Sequence, residues 1–241
     1  MYLQQRGIPL ALAQQYGLGY AAPGTWPHAA RDWRSGRVVF PHTTPDGRLV
    51  NLYGRAVGTA EQVPKAKRHD HLPGVKGYFN AAALQGGAGP LWVCEGAFDA
   101  LALCAAGVPR VVAIFGVQGW RWDWVRKVRE LVFALDADIA GQQQWHQLAR
   151  QAALRGKRVA VLEPVAYGGH KDVSAAWAAA VLRVNASPVA ARHDPAPLEV
   201  LDDRHEAWAE RVAIMVTDGG VRREEAERLA WAALQGARGA P

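Results

Sequence analysis

Cysteine is scarce in this sequence: 241 residues contain two, Cys94 and Cys104. No Cys-x-x-Cys pair exists, which excludes a cysteine-based zinc site. Both thiols fall in an apolar stretch that reads as strand then helix, where a reduced cysteine packs as a small hydrophobe. Such sparing use suits a reducing compartment, so a cytoplasmic location is expected. Long apolar runs are missing as well. No stretch is long enough to span a bilayer, and Met1-Tyr2-Leu3-Gln4-Gln5-Arg6-Gly7 lacks the apolar region of a signal peptide. No membrane partner is expected. Internal repeats are absent, as is low complexity beyond a richness in alanine. What is present is a 50% hydrophobic composition, enough to fill a sizeable core and inconsistent with wholesale disorder.

Charge is unevenly distributed. Between Arg31 and Lys76 nine basic residues face four acidic ones, an excess of five in a chain whose net charge is +6. A localised basic surface is the footprint of a phosphate binder, although an ordinary solvated face gives the same count. Around this block the pattern predicts a helix over Pro9–Tyr16. It also predicts strands at Arg37–Phe40 and Leu49–Tyr53, joined by the turn residues Pro45-Asp46-Gly47. Residues 1–88 therefore read as a small, basic α+β subdomain, closing in the glycine-rich stretch near Gln85–Gly89.

Residues 89–184 alternate strand and helix. Strands are predicted at Leu91–Cys94, Val111–Ile114, Leu131–Leu135 and Arg158–Leu162. Helices are predicted at Ala97–Ala106, Trp122–Glu130, Ile139–Arg155 and Ser174–Leu182. This alternation implies an α/β layer with a mostly parallel sheet and flanking helices. Residues 185–241 read as a proline-containing linker over Ala186–Pro197, then a helical segment with helices at Leu198–Val216 and Val221–Gln235. In open parallel sheets the site lies beyond the carboxyl ends of the strands. Glu95 and Asp136 directly follow two of the strands, Gly116 follows a third after one residue, and Asp172 lies in the loop after the fourth.

Asp136-Ala137-Asp138 sits where a strand meets the turn Ala140-Gly141. Two carboxylates this close repel, and a shared cation keeps both ionised. All-oxygen donors select Mg2+ or Mn2+ over zinc. A solvated pair capping the next helix is the alternative for Asp-x-Asp alone. Glu95, on a neighbouring strand, completes an acidic cluster able to hold metal, or takes a proton from an attacking hydroxyl.

Leu91-Trp92-Val93-Cys94-Glu95-Gly96 resembles the glutamate motif of the TOPRIM domain. Ala134-Leu135-Asp136-Ala137-Asp138-Ile139-Ala140-Gly141 resembles its Asp-x-Asp motif in the form typical of primases, and Gly169-His170-Lys171-Asp172 resembles its later acidic motif. In the first block, Arg6-Gly7-Ile8, Tyr16-Gly17-Leu18-Gly19-Tyr20, Gly36–Pro41, Val50-Asn51 through Gly54-Arg55, Pro64-Lys65 and Gly77-Tyr78-Phe79-Asn80 resemble the start of the bacterial DNA primase catalytic core. The resemblance implies a TOPRIM-like fold and a nucleotidyltransferase that makes short RNA primers on a single-stranded DNA template from ribonucleoside triphosphates. By carry-over, Glu95, Asp136 and Asp138 are the catalytic residues, and they hold metal together with Asp172. By carry-over too, Arg55 and Lys65, and less directly Arg37, contact nucleotide or template, and Lys171 is a further nucleotide-contact candidate from its own position. A replicative helicase or a separate zinc-binding module is the expected protein partner.

The sequence also departs from that family. Its zinc-binding module has no counterpart here, and Ser174 stands where many relatives place an acid. Lys67-Arg68-His69-Asp70-His71 replaces the usual segment after Pro64-Lys65; it has metal-ligand residue types but no fourth ligand nearby, and reads as a basic loop. Lys171 either holds a phosphate or neutralises Asp172. Trp120, Trp122 and Trp124 stack bases or form a packing edge. The tail resembles a segment of bacterial mobile-element proteins. Two other functions use the same residues: a TOPRIM nuclease, against which the first block argues, and a non-catalytic single-strand-binding or regulatory relative of primases. A topoisomerase is disfavoured, since the chain is short for strand-passage domains.

Overall fold

The structure is a computed structural model describing residues 2–28, 34–59, 61–87, 89–136, 139–184 and positions 222, 225, 226 and 229. The chain divides into two compact units, Met1–Ala190 and Ala191–Pro241. In the second, Glu225, Ala226 and Leu229 are helical. The rest of the predicted tail, with the Ala186–Pro197 linker, lies outside the described residues.

The first unit opens with a helical turn, α1 (Tyr2–Gln5), and α2 (Leu10–Gln15). An antiparallel sheet follows, of β1 (Gly19–Ala21), β2 (Arg37–Thr43) and β3 (Leu49–Ala56), then the short α3 (Lys65–Arg68) and β4 (His69–His71), in the order β1-β2-β3-β4. β2 and β3 are the predicted hairpin, extended by three residues each. β4 corrects the expected basic loop: His69, Asp70 and His71 pair with Arg55, Gly54 and Tyr53 at the edge of the sheet.

The second sheet comprises β5 (Leu91–Cys94), β6 (Val111–Ala113), β7 (Glu130–Ala134) and β8 (Arg158–Val161), all parallel, in the order β6-β5-β7-β8. Its helices are α4 (Ala97–Ala105), α5 (Ile139–Leu154) and α6 (Val173–Ala178). Every residue of β5 is buried, as expected of a parallel strand covered on both faces. Side-chain alternation divides the core in two. Trp92, Cys94, Val132 and Ala134 face α4 and the first sheet. Leu91, Val93, Leu131 and Phe133 face Leu148 and Ala152 of α5.

Trp122–Glu130 is not a helix. Lys157 Nζ donates to the carbonyls of Val125, Arg126 and Val128 at 2.8, 3.2 and 2.6 Å, acceptors a continuing helix would use itself. The segment runs as successive turns, with three-residue hydrogen bonds such as Val128 N–H to Val125 O. α6 likewise stops short of Leu182, because Ala180 turns to φ 56°.

Residues 77–80 join the sheets. Tyr78 exchanges two backbone hydrogen bonds with Thr43 at the end of β2, and Phe79 exchanges two with Ala113 of β6. Phe40, fully buried in β2, packs edge-on against Phe79 and against Phe98 of α4, with ring centroids 5.7 and 5.0 Å apart. Residue 77 has no room for a side chain: a Cβ there would lie 2.3 Å from the Thr43 carbonyl oxygen. Gly77→Ala is therefore expected to destabilise the fold by about 1–3 kcal/mol, the usual range for overpacking. An unchanged urea midpoint would show that the two sheets do not depend on this junction.

Candidate active site

β5 feeds α4 on one face of the parallel sheet, and β7 feeds α5 on the other. Between these adjacent strands the connections diverge, which opens a crevice at their carboxyl ends. Cys94 and Ala134 are register partners, so Glu95 and Asp136 leave the sheet within one or two residues of paired positions. Asp172 arrives from the loop after β8 and caps α6, its Oδ1 accepting the Ala175 N–H at 2.7 Å. Asp138 lies outside the described residues.

Lys171 joins two of these acids. Its Nζ is 2.9 Å from Asp172 Oδ2 and 3.7 Å from Asp136 Oδ2, with the lysine side chain largely exposed. Partial burial disfavours its charge, but the hydrogen bond to Asp172 and the nearby carboxylates outweigh this and raise its pKa. Lys171 thus neutralises the acids in this geometry, and its exposure leaves the ammonium accessible from solvent.

A fourth acid, Asp99, was not among the predicted site residues. It sits in the first turn of α4, 8% exposed, and accepts hydrogen bonds from the Gly96 N–H at 3.2 Å and the Ser174 N–H at 2.8 Å. Burial, then the charges of Asp172 and Asp136, push its carboxyl up to about 8. The contact requires glycine at 96, where a Cβ would stand 2.6 Å from Asp99 Oδ2. In the sequence, Asp99 reads as an ordinary acid favoured by the helix dipole. The available signal was its spacing, one helical turn beyond Glu95. Ser174 is buried and engages Asp99 through its backbone.

The basic residues divide. Arg37 is 1% exposed, and its guanidinium donates to Gly54 O at 2.9 Å and Lys67 O at 2.7 Å. It ties β3 to α3 and presents no surface to a strand of nucleic acid, which corrects its expected role. Arg55 is half-buried on β3 and donates to His69 Nε2 across the strand pair. Lys65 is exposed on α3. Burial, then the cations Arg55, Lys171, Arg68 and Arg37, push His69 down to about 4. The imidazole therefore sits in a positive field that includes Lys171 of the acidic cluster.

Behind His69 the histidines form a chain. His42 Nδ1 donates to the Gly77 carbonyl at 3.0 Å, so its Nε2 accepts from His71 Nδ1, also at 3.0 Å. His42 packs on Phe115 with centroids 3.9 Å apart. Phe115 and Gly116, at φ 54° and 96°, make the turn after β6. Burial holds both imidazoles neutral, lowering each to about 4. Asp70 faces the other way, accepting from Trp26 Nε1 at 2.7 Å and lying 2.8 Å from His28 Nδ1. Among the described residues no group of three or more His, Cys, Asp or Glu is arranged to hold a metal ion.

Residues 92–176 match a family model described as Toprim-like. DNA primases of Neisseria meningitidis serogroup A and of Legionella pneumophila are 26% and 25% identical to this chain over 178 and 179 residues. Each alignment takes in 61% of this chain, but only 30% and 31% of the relative. Over residues 92–176 the chain therefore has a core similar to the Toprim-like family. That core shares its fold with a DnaG primase catalytic domain solved bound to single-stranded DNA (TM-score 0.53, 21% identity, 72% of this chain and 64% of that one). It also resembles a DNA primase domain from Pseudomonas aeruginosa (TM-score 0.55, 20% identity, 95% and 91%). No described helix is long and apolar enough to cross a membrane.

The titrating groups of this core give stability a sign in each pH range. His42 and His71 protonate near 4 when folded against 6.5 unfolded, so between those values the unfolded chain binds more protons and stability rises with pH. Asp99 acts oppositely: its pKa rises from 3.8 to about 8, so its contribution falls as pH climbs through that window. With His69, also lowered to about 4, three histidines outweigh one aspartate below 6.5, and above it none of the three opposes the aspartate. The thermal midpoint is expected to peak between about pH 6 and 7, and Asp99→Asn to flatten the decline from there to pH 8. A wild-type midpoint that keeps rising to pH 8 would refute the Asp99 assignment.

Proposed function

We propose that this chain is the catalytic core of a primase, joining ribonucleotides into short RNA primers on a single-stranded DNA template. The observation that carries this reading is the placement of Glu95 and Asp136 at the carboxyl ends of adjacent parallel strands, with Asp172 beside them. The likeness to DNA primases in sequence supports it, as does the fold shared with a primase domain solved on single-stranded DNA. Residues 1–88 would guide template and nucleotide through Arg55 and Lys65, and residues 89–184 would carry out the chemistry.

The oxygen donors of Asp136, Asp138 and Asp172, with Glu95, fit a hard divalent cation such as Mg2+ or Mn2+. The mutual opposition of Asp99, Asp136 and Asp172 fits it too, since added positive charge relieves it. A divalent cation held there supplies charge neutralisation on the transferring phosphoryl group. The protein's residues supply the rest. Glu95, at the crevice, accepts the proton of the attacking hydroxyl as its oxygen bonds to the α-phosphorus of a ribonucleoside triphosphate and pyrophosphate leaves. Lys171 moves from Asp136 towards the phosphate chain, its ammonium already facing solvent. Arg55 holds the backbone of the incoming strand. A replicative helicase or a zinc-binding module acting in trans fits a core whose contacts read phosphate, which carries no base sequence. The cytoplasm is the compartment such a template implies.

Single-stranded DNA, labelled ribonucleotides and Mg2+ or Mn2+ test the reading. Short RNA products are expected from the wild type. Glu95→Gln, Asp136→Asn and Asp138→Asn should each lower the yield by roughly 100-fold or more, the scale of a lost catalytic proton acceptor or an equivalent ligand. Shortening of end-labelled template, lost in the same variants, would make the chain a TOPRIM nuclease instead. DNA binding with neither product would leave a non-catalytic relative of primases.

A further inference from the structure

The acidic crevice occupies one end of the parallel sheet, and the opposite end carries a second concentration of positive charge. The turns entering β7 and β8 hold Arg121, Arg126, Lys127, Arg129, Arg155, Lys157 and Arg158, against Asp123 and Glu130 alone. That excess of five equals the excess of the whole Arg31–Lys76 block. Contacts between the two turns gather residues 125–130 and 155–158 on one surface, while Arg121 lies against Lys76 and Tyr78. Lys157 caps the carbonyls of Val125, Arg126 and Val128, the Arg158 N–H donates to Arg129 O at 2.8 Å, and Arg158 pairs with Glu130. Arg121, Arg126, Lys127, Arg129, Arg155 and Arg158 are exposed.

Tryptophan orders this surface. The Arg155 guanidinium lies 4.1 Å from the ring centroid of Trp122, and that of Arg121 lies 4.8 Å from the ring of Trp124. Trp122 is braced edge-on by Trp120, which packs on Phe133 of β7, and Trp124 is braced by Tyr78. A guanidinium held over an aromatic ring loses less freedom when it binds, and its planar fork matches a phosphate. Half-buried indoles between exposed cations are the combination that single-stranded nucleic acid uses, rings for bases and cations for backbone.

We propose that this face, formed by the turns 120–129 and 155–158, binds the phosphate backbone of a single-stranded nucleic acid. Its 125–129 and 155–158 part is a second site at the amino ends of β7 and β8, separated from the acidic crevice by the length of the five-residue β7, about 17 Å at the usual rise per residue. A strand engaged at both ends of the sheet is held more tightly than at either alone, because the second contact is intramolecular.

Binding of the full chain to fluorescent oligothymidylate, without metal or nucleotide, tests the site independently of any catalysis. Each phosphate contact on a single strand contributes about 0.7 to the slope of log affinity against log salt. The triple variant Arg126→Gln, Lys127→Gln, Arg129→Gln should therefore bind a long oligomer with a slope shallower by roughly 2. An oligomer too short to span β7 should lose less affinity on this substitution than the long one. Arg129→Gln alone, with a shift of about 0.7, serves if the triple variant unfolds at lower temperature than the wild type. A parallel oligouridylate series separates template from RNA product by which strand loses more affinity. An unchanged slope with both oligomers overturns the proposal. So does equal loss of binding to polyglutamate, which would make the face a dock for an acidic protein.

Discussion

Parallel pairing of β5 with β7, each strand sending its helix to the opposite face, is the constraint on which the rest of the site depends. Adjacent parallel strands end at the same level, so residues that follow them are brought side by side whatever their separation in sequence. Forty residues lie between Glu95 and Asp136, yet Cys94 and Ala134 are partners in register. The cost is electrostatic. Carboxylates gathered this way oppose each other's charge, and Asp99, whose pKa is raised first by burial, is raised further by Asp172 and Asp136. The surroundings offset it with Lys171 between Asp136 and Asp172, and with backbone N–H groups aimed at Asp99 and Asp172.

The antiparallel sheet is coupled to that crevice through ordinary packing. Phe40, Phe79 and Phe98 bring β2, the 77–80 junction and α4 into one aromatic cluster. The histidine chain from Gly77 through His42 to His71 lies against the Phe115 turn at the end of β6. The field of Lys171 reaches His69. The cations around His69 and the acids of the crevice are thus linked electrostatically through Lys171.

Much of this was legible in the chain itself. Strands buried on both faces read as short apolar runs, and glycine at Gly107 and Gly156 marks where their helices end, so the α/β alternation and the strand-end position of Glu95, Asp136 and Asp172 follow from local pattern. These are properties of neighbouring residues, set by backbone sterics and the period of side-chain burial. The excess of basic residues between Arg31 and Lys76 is likewise a matter of counting.

Tertiary structure decided what each side chain is for. Arg37 and Arg55 are equivalent in sequence, both basic and both on strands. Only the packing of Trp26, Gly54 and α3 around Arg37 consumes its guanidinium on carbonyls. Asp99 is one acid in a helix's first turn until α6 folds over it and removes water. Trp122–Glu130 has a helical pattern, but Lys157, some thirty residues away, takes the carbonyls a helix would use. Hydrogen-bond partners and desolvation are set by groups distant along the chain, and local pattern carries no information about them.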